Sequence, residues 1–342
     1  MTQHYTIRGG IDSTAVYKGE DIEGEGPDNW TSGATHFGLT QSITPTASRN
    51  LQRLRGLKGQ LAESNDEATA RDTQKTVAGK TDLSVSVEYQ PQDFEFLEYV
   101  MGSVSETNGT RYYPQESAND YSDKRKYDKL PSFSIAEKFQ FDGDNDSENS
   151  VLEFLGLKVN TFEVSAAIGE PISISLDSMG TDFRIHQNET IETDFPDVPL
   201  KSEDVYHFVD SEVEIGANPI ENILEGFTLS IDNMTEGLGD IRLYGNARVI
   251  SLGRNIGVTI ETNFENMTWV KNMMGASDGE KLKKPSLIDT INIKLDRGTG
   301  ENLTCVLKDL RMDDPLPSTS YGEVTKQSLN LIAKYAYFIE NE

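Results

Sequence analysis

Leu83, Val85 and Val87 alternate with Ser84, Ser86 and Glu88, a two-residue period that predicts a strand with one buried face. From Phe94 the period lengthens. Phe94, Leu97 and Met101 recur at helical spacing behind Asp93, a short polar residue suited to an N-cap, and Gly102 stands where a helix commonly ends. The same strand and helix return without a gap from Ile256 to Gly275, with Asn266 in the cap position and Met267, Val270 and Met274 as the stripe. No residue with reactive chemistry interrupts either stripe, so both are expected in the core.

The repeat extends in both directions. Upstream, "GLTQSIT" at Gly38 returns as "GFTLSID" at Gly226; downstream, "GEPISISLD" at Gly169 returns as "GEVTKQSLN" at Gly322. The offsets are 188, 173 and 153 residues in chain order, the trace of one unit copied and then trimmed in its loops. A hairpin follows each helix. In the first copy "FSIAEKFQF" runs to an acidic tip at Asp142 to Glu148 and returns through "SVLEFLGLKVNTFEV"; in the second "DTINIKLD" returns through "NLTCVLKDLRM". The expected fold is therefore mainly β with one short helix per module, its antiparallel sheets curled or sandwiched with the helix on one face.

The domains read as an N-terminal arm over 1–35, a first module over 36–182, an acidic linker over 183–224 and a second module over 225–342. The arm is acidic and shows no core pattern, which suggests disorder in isolation and a clamp onto a neighbour in an assembly. Inside the first module, residues 58–80 and the loop 103–131 are long excursions without apolar periodicity. The loop's tyrosines favour contact with another molecule, with Tyr112, Tyr113, Tyr121 and Tyr127 the candidates.

Hydrophobic residues make up 36% and charged residues 26% of the 342, which fits a globular chain with a wet surface. No apolar run reaches the length of a membrane span, and "MTQHYTIRGG" lacks both the basic start and the apolar stretch of a secretion signal. No membrane is expected, and the product is expected to stay where it is made. Cys305 is the only cysteine, which excludes an intrachain disulfide and a cysteine zinc cage and points to a reducing compartment. A net charge of −26 argues against attraction to phosphate backbones; so much acid suits solubility or a salty medium.

The search for catalysis finds no positive signal. His4, His36, His186 and His207 lie in unrelated contexts, and Cys305 stands in an alternating strand where a buried thiol is the simpler role. There is no nucleophile elbow or phosphate loop, and "GLGDIRLYG" at Gly237 lacks the strand and helix of a dinucleotide site. The chain reads as no enzyme and needs no cofactor. Asp142, Asp144, Asp146, Glu148 and Glu153 have the spacing of a calcium loop, but Ser147 replaces the turn glycine and strands flank it, so a solvated hairpin tip is preferred to a metal site.

What repeats is a face. Opposite the apolar side of four strands stand Ser84, Ser86 and Glu88; Ser173, Ser175 and Asp177; Thr228, Ser230 and Asp232; and Thr259 and Glu261. Solvated faces usually carry long Lys, Glu and Arg side chains, whereas rows of small hydroxyls ending in carboxylates suit the wall of a water-filled channel.

The order of a polar arm, "GLTQSI", a strand and helix closing on "VMG", then "LGLKVNTFEVSAAIGEPISISLDSMG", "EGFTLSIDNMTEG" and a second "MMG" helix resembles the major tail tube proteins of tailed viruses, from about Phe37 to Phe338. The resemblance implies a duplicated β-sandwich whose sheets join those of neighbours into a closed inner β-barrel ring, with rings stacked into a tube that conducts the genome. It implies a virion protein made in the host cytoplasm, whose partners are its own copies and other tail proteins such as a tape measure and a tail terminator. Two modules per chain suggest a homotrimeric, pseudo-sixfold ring, the alternative being a homohexamer. Serine, threonine and carboxylate side chains of the repeated face would line the lumen, where DNA passes without sticking. The competing reading is a two-module β-sandwich surface or adhesion protein with calcium at the Asp142 tip.

Overall fold

The computed structural model describes residues 13–49, 52–54, 75–77, 79–114, 129–139, 150–187, 194–195, 197–216, 218–219, 224–239, 245–264, 267, 270–271, 287–297, 301–314, 316–318 and 324–341. In chain order, its first half contains β1 Ser13–Gly19, β2 Leu39–Ser48, β3 Gln52–Leu54, β4 Lys75–Val77, β5 Asp82–Gln90, α1 Leu97–Met101, β6 Ser105–Thr107 and β7 Thr110–Tyr113. There follow β8 Phe133–Phe139, β9 Ser150–Ala167, β10 Ser173–Gly180, β11 Asp182–His186, β12 Ser211–Ile215 and β13 Asn218–Pro219. The second half adds β14 Leu224–Asp232, β15 Thr235–Gly239, β16 Asn246–Ser251, β17 Asn255–Asn263, β18 Ile288–Asp296, β19 Asn302–Asp314, β20 Lys326–Ala333 and β21 Tyr335–Asn341.

Alternation builds the sheets as expected. Leu83, Val85, Val87 and Tyr89 of β5 are at most 2% exposed while Ser84, Ser86 and Glu88 stand on the wetter face. In β17, Ile256, Val258 and Ile260 are buried in the same rhythm. Each such side chain contributes about 1.5–3 kcal/mol by leaving water. The result is a main buried cluster that runs from Tyr17 to Phe338 and includes residues of both halves, beside a smaller one of Trp30, Ala136, Val151 and Phe195.

Eight strands form an antiparallel inner sheet in the order β2, β5, β10, β9, β14, β17, β20, β19. The order β2-β5-β10-β9 is repeated by β14-β17-β20-β19, and the seam between the two quartets is the β9–β14 pair. A second layer repeats as well: β1-β8-β9-β11 in the first half and β12-β18-β19-β21 in the second. The long strands β9 and β19 belong to both layers. Among the described residues β2 and β19 are not paired with each other, so no barrel closes within the chain and the inner sheet stays open.

The repeat holds at the level of single bonds. Gly156 in β9 has φ 61° and Asp309 in β19 has φ 55°, 153 residues apart. Beside them Thr181 N–H donates to Leu155 O at 2.9 Å, and Lys334 N–H to Lys308 O at 3.1 Å. Register shifts fall between Asp177 and Ser178 against β9, and between Met312 and Asp314 against β20, making Asn160 and Asp313 equivalent extra residues. The upstream match is different. β2 pairs Ser42 with Glu88, while β14 pairs Gly226 with Glu261, and both strands shift register just before, at Gln41 and Glu225. Thus Ser42 corresponds to Gly226, an offset of 184; the "GLTQSIT" and "GFTLSID" match lies four residues out of step because strand pairing, not local resemblance, sets the alignment.

Several expectations are corrected. Asp93 does not cap α1; its Oδ1 accepts from Glu95 N–H at 2.9 Å and starts the turn Phe94–Leu97, and the helix proper begins after Phe96. Gly102 ends it with φ 111° and its N–H on Glu98 O at 2.9 Å, as expected. In the second copy Val270 and Lys271 are helical but Met267 is 48% exposed; Asn266, Met274 and Gly275 lie outside the described residues.

From Ser13 on, the arm belongs to the fold. β1 pairs with β8, and Tyr17 and Trp30 are each 4% exposed. The linker supplies β11 and β12 to the outer layer. Within the loop 103–131, β6 and β7 make a hairpin that pairs with β21. Its turn is Asn108-Gly109 with φ 55° and 79°, the mirror-image turn whose twist suits a two-residue hairpin.

A hydroxyl and carboxylate face as the candidate functional surface

Because paired residues in neighbouring strands share a face, the register settles where the eleven polar candidates sit. One row across the inner sheet runs Ser42, Glu88, Ser175, Glu163, Ser230, Gly257, Ile332, Arg311. The next runs Thr44, Ser86, Asp177, Thr161, Asp232, Asn255. On the other side lies Ser173, Ser165, Thr228, Thr259, Asn330, Asp314. Nine candidates fall in these three rows. Ser84, opposite Thr46, and Glu261, opposite Gly226 and Ser328, flank them.

The hydroxyls tie the carboxylates down. Ser86 Oγ donates to Asp177 Oδ1 at 2.9 Å, and Ser42 Oγ to Glu88 Oε2 at 3.2 Å. At the equivalent of the Ser86–Asp177 pair, Thr259 Oγ1 donates to Asn330 Oδ1 at 2.9 Å. Bonds of this kind hold short side chains flat against the sheet and keep their acceptors partly occupied.

Sequence reading missed the middle of this surface. Thr161, Glu163 and Ser165 of β9 join the two quartets, and the signal was present in "NTFEVSA", which alternates hydroxyl and carboxylate with Phe162 and Val164. The face is not carboxylate throughout. Glu88, Glu163, Asp177, Asp232 and Glu261 are carboxylates, but at the β19 end Arg311 and Ile332, which is 61% exposed, share the face.

The remaining candidates are placed as follows. Tyr113, expected to touch another molecule, is 1% exposed and donates its hydroxyl to Glu340 Oε2 at 2.8 Å, so its ring is committed to its own chain. Burial raises the pKa of both partners, that of the phenol far above its usual range. Tyr112 is half-buried on β7; Tyr121 and Tyr127 lie outside the described residues. Asp142, Asp144, Asp146 and Glu148 also lie outside them. Glu153, 3% exposed, is engaged elsewhere: Trp30 Nε1–H donates to Oε1 at 3.0 Å, and His186 Nε2 is 2.9 Å from Oε2. Among the described residues no group of three or more His, Cys, Asp or Glu is arranged to hold a metal.

Among the described residues the histidines do not converge; His4 lies outside them. His36 is buried with its ring nitrogens on Ala15 O and Val198 O, His186 sits on Glu153, and His207 bridges to Pro171. Cys305 is 2% exposed in β19, and burial pushes its thiol far up. No helix is long and apolar enough to cross a membrane among the described residues.

The surface is thus a broad sheet face built from small groups, with a repeated plan and no reactive centre. Comparison with curated proteins gives no match. The family model described as "Phage tail tube protein" matches residues 10–333, nearly the whole chain, and the protein accordingly belongs to the phage tail tube family, a structural component of the virion tail.

Proposed function

We propose that this chain polymerises into stacked rings whose joined inner sheets enclose a bore, and that DNA passes along it during ejection. Each chain supplies two wedges, residues 36–182 and 225–342, so three chains make a pseudo-sixfold ring. The observation that carries the reading is the polar face itself: eight strands wide, faced with short hydroxyls and carboxylates, and open at β2 and β19.

Strand geometry favours three chains. Eight strands from each of three chains, spaced about 4.8 Å and tilted about 40°, give a circumference of about 150 Å and a backbone diameter of about 48 Å. Two chains would give about 32 Å, which side chains on opposite walls reduce to about 20 Å, too tight for a hydrated duplex. In the wider bore, wall carboxylates are felt by phosphates within a Debye length of about 8 Å, so a duplex drifting to the wall is pushed back. Short side chains offer it nothing to catch on. Arg311 and Lys326 interrupt the negative wall and leave it net acidic.

Other tail proteins, of tape-measure and terminator type, are the expected partners at the tube ends. Tyr112 and the loop around it are the proposed contact between rings. Electron microscopy of the purified protein tests the reading: stacked rings of three chains with Glu88, Glu163 and Asp177 facing the bore support it, and dispersed monomers under all assembly conditions contradict it.

A further inference from the structure

We propose that consecutive chains join in one defined register, β2 of one copy against the open side of the segment that continues β19 in the next, with Thr44 opposite Ser318 and Pro45 opposite Pro317. The occupant of each open edge is a second copy of this chain. The proposal rests on the tube reading and specifies its seam.

The template lies inside the molecule. β14 pairs with β9 from Gly226 opposite Ala167 to Asp232 opposite Thr161. The offset of 153 residues carries Val164 to Pro317 and Ser165 to Ser318. It is fixed by the left-handed residues Gly156 and Asp309, and by the bridge Ser318–Lys326, which repeats the pair Ser165–Ser173. The offset of 184 carries Thr44 to Thr228 and Pro45 to Leu229, fixed by the matching register shifts in β2 and β14. The pairs Thr228–Ser165 and Leu229–Val164 of the internal seam therefore become Thr44–Ser318 and Pro45–Pro317 between chains.

Backbone direction explains the prolines. Ile168 N–H donates to Glu225 O across the internal seam at 3.1 Å, so alternate residues back to Val164 aim their amides the same way. In β19's continuation Ser318 N–H donates to Lys326 O at 3.0 Å, away from the open side, which leaves Pro317 facing that side. Pro45, as the counterpart of Leu229, faces the open side of β2. Two prolines set opposite each other leave no N–H without an acceptor, at the cost of the two cross-strand bonds their carbonyls would accept at that pair, and each removes a donor that would template indiscriminate edge pairing.

An apolar groove supports the same assignment. Beside β2 a groove of about 840 Å³ is lined by Leu39, Ile43, Phe139, Leu152, Ile185 and Leu200. Ile185 and Leu200 are 66% and 55% exposed. At the internal seam the counterpart of Ile43 is Phe227, which is 3% exposed and packs beside Phe208 at 6.5 Å between ring centroids. Among the described residues the open edge thus lacks the cover that its internal copy has, and a neighbouring chain in the stated register covers it.

Cysteine trapping tests the register. Single variants Thr44→Cys and Ser318→Cys are mixed, assembled and oxidised; Cys305 is 2% exposed and silent. The pair corresponds to a non-hydrogen-bonded site, where Cα atoms lie about 4.5 Å apart and a disulfide can form. The expected product is a covalent dimer in high yield, with at least a tenfold lower yield from Thr46→Cys mixed with Ser318→Cys. If tubes form but the slipped pair cross-links as well or better, or neither pair does, the register is wrong while the tube reading stands. If no ring or tube forms and no cross-link appears, both fail.

Discussion

Glu20 shows what the acidic run near the N-terminus does. Its carboxylate accepts from Gly24 N–H at 3.0 Å, from Gly156 N–H at 2.8 Å and from Ser134 Oγ. Glu23 accepts from Val249 N–H and Lys158 Nζ, both at 2.7 Å. Composition suggested solubility, but these carboxylates satisfy the amides of Gly24, Gly156 and Val249. Glu20→Ala is expected to lower stability by about 2–3 kcal/mol in denaturant unfolding, because buried donors lose a charged acceptor. At Gly156 a Cβ would meet Thr181 Oγ1 at 2.4 Å with φ at 61°, so Gly156→Ala should cost a similar or larger amount.

Glu137 gives a pH signature. It is 8% exposed, and burial raises its carboxyl to about 7. The fold therefore favours the protonated form. That stability is fully present below the unfolded value near 4.5 and is lost as pH rises through about 7. Stability should fall on the order of 2 kcal/mol between pH 5 and 8 from this group. Glu137→Gln should remove that part of the slope and be more stable than the parent at pH 8; an unchanged slope in thermal or denaturant unfolding would refute the assignment.

Among elements, β5 and β17 were legible because one buried face imposes a strict period of two. The short helix was legible as a stripe but not at its start, since three turn residues precede it and no side chain caps it. Its far end depends on distant residues: Asn233 Nδ2 donates to Val100 O at 3.1 Å, and Arg254 Nη2 to Met101 O at 3.2 Å. Local pattern cannot announce such a cap. Arg254→Ala should destabilise the chain by about 1–3 kcal/mol, since Asn233 Oδ1 and helix carbonyls lose their donor together. The Asn108-Gly109 hairpin and the Thr161–Glu163–Ser165 face were readable signals passed over, one beneath a polar stretch and the other inside a strand treated only as a return. β1 and the strands of the linker were hidden because edge strands carry mixed side chains and gain their place by pairing.

At the scale of the molecule, two quartets of strands with matching bulges make a sheet that begins and ends on an unpaired edge among the described residues. The repeat was visible in sequence, yet one of its three alignments was four residues off, and only cross-strand register corrected it. Proline at both edges and carboxylates across the face support the proposed subunit, one that stays dispersed until its edges meet those of a second copy. The most direct measurement is a reconstruction of the assembled tube. Three chains per ring, with β2 of each beside β19 of the next and the hydroxyl and carboxylate rows facing inward, are the predicted result. Six chains per ring, or those rows on the outer surface, would contradict it.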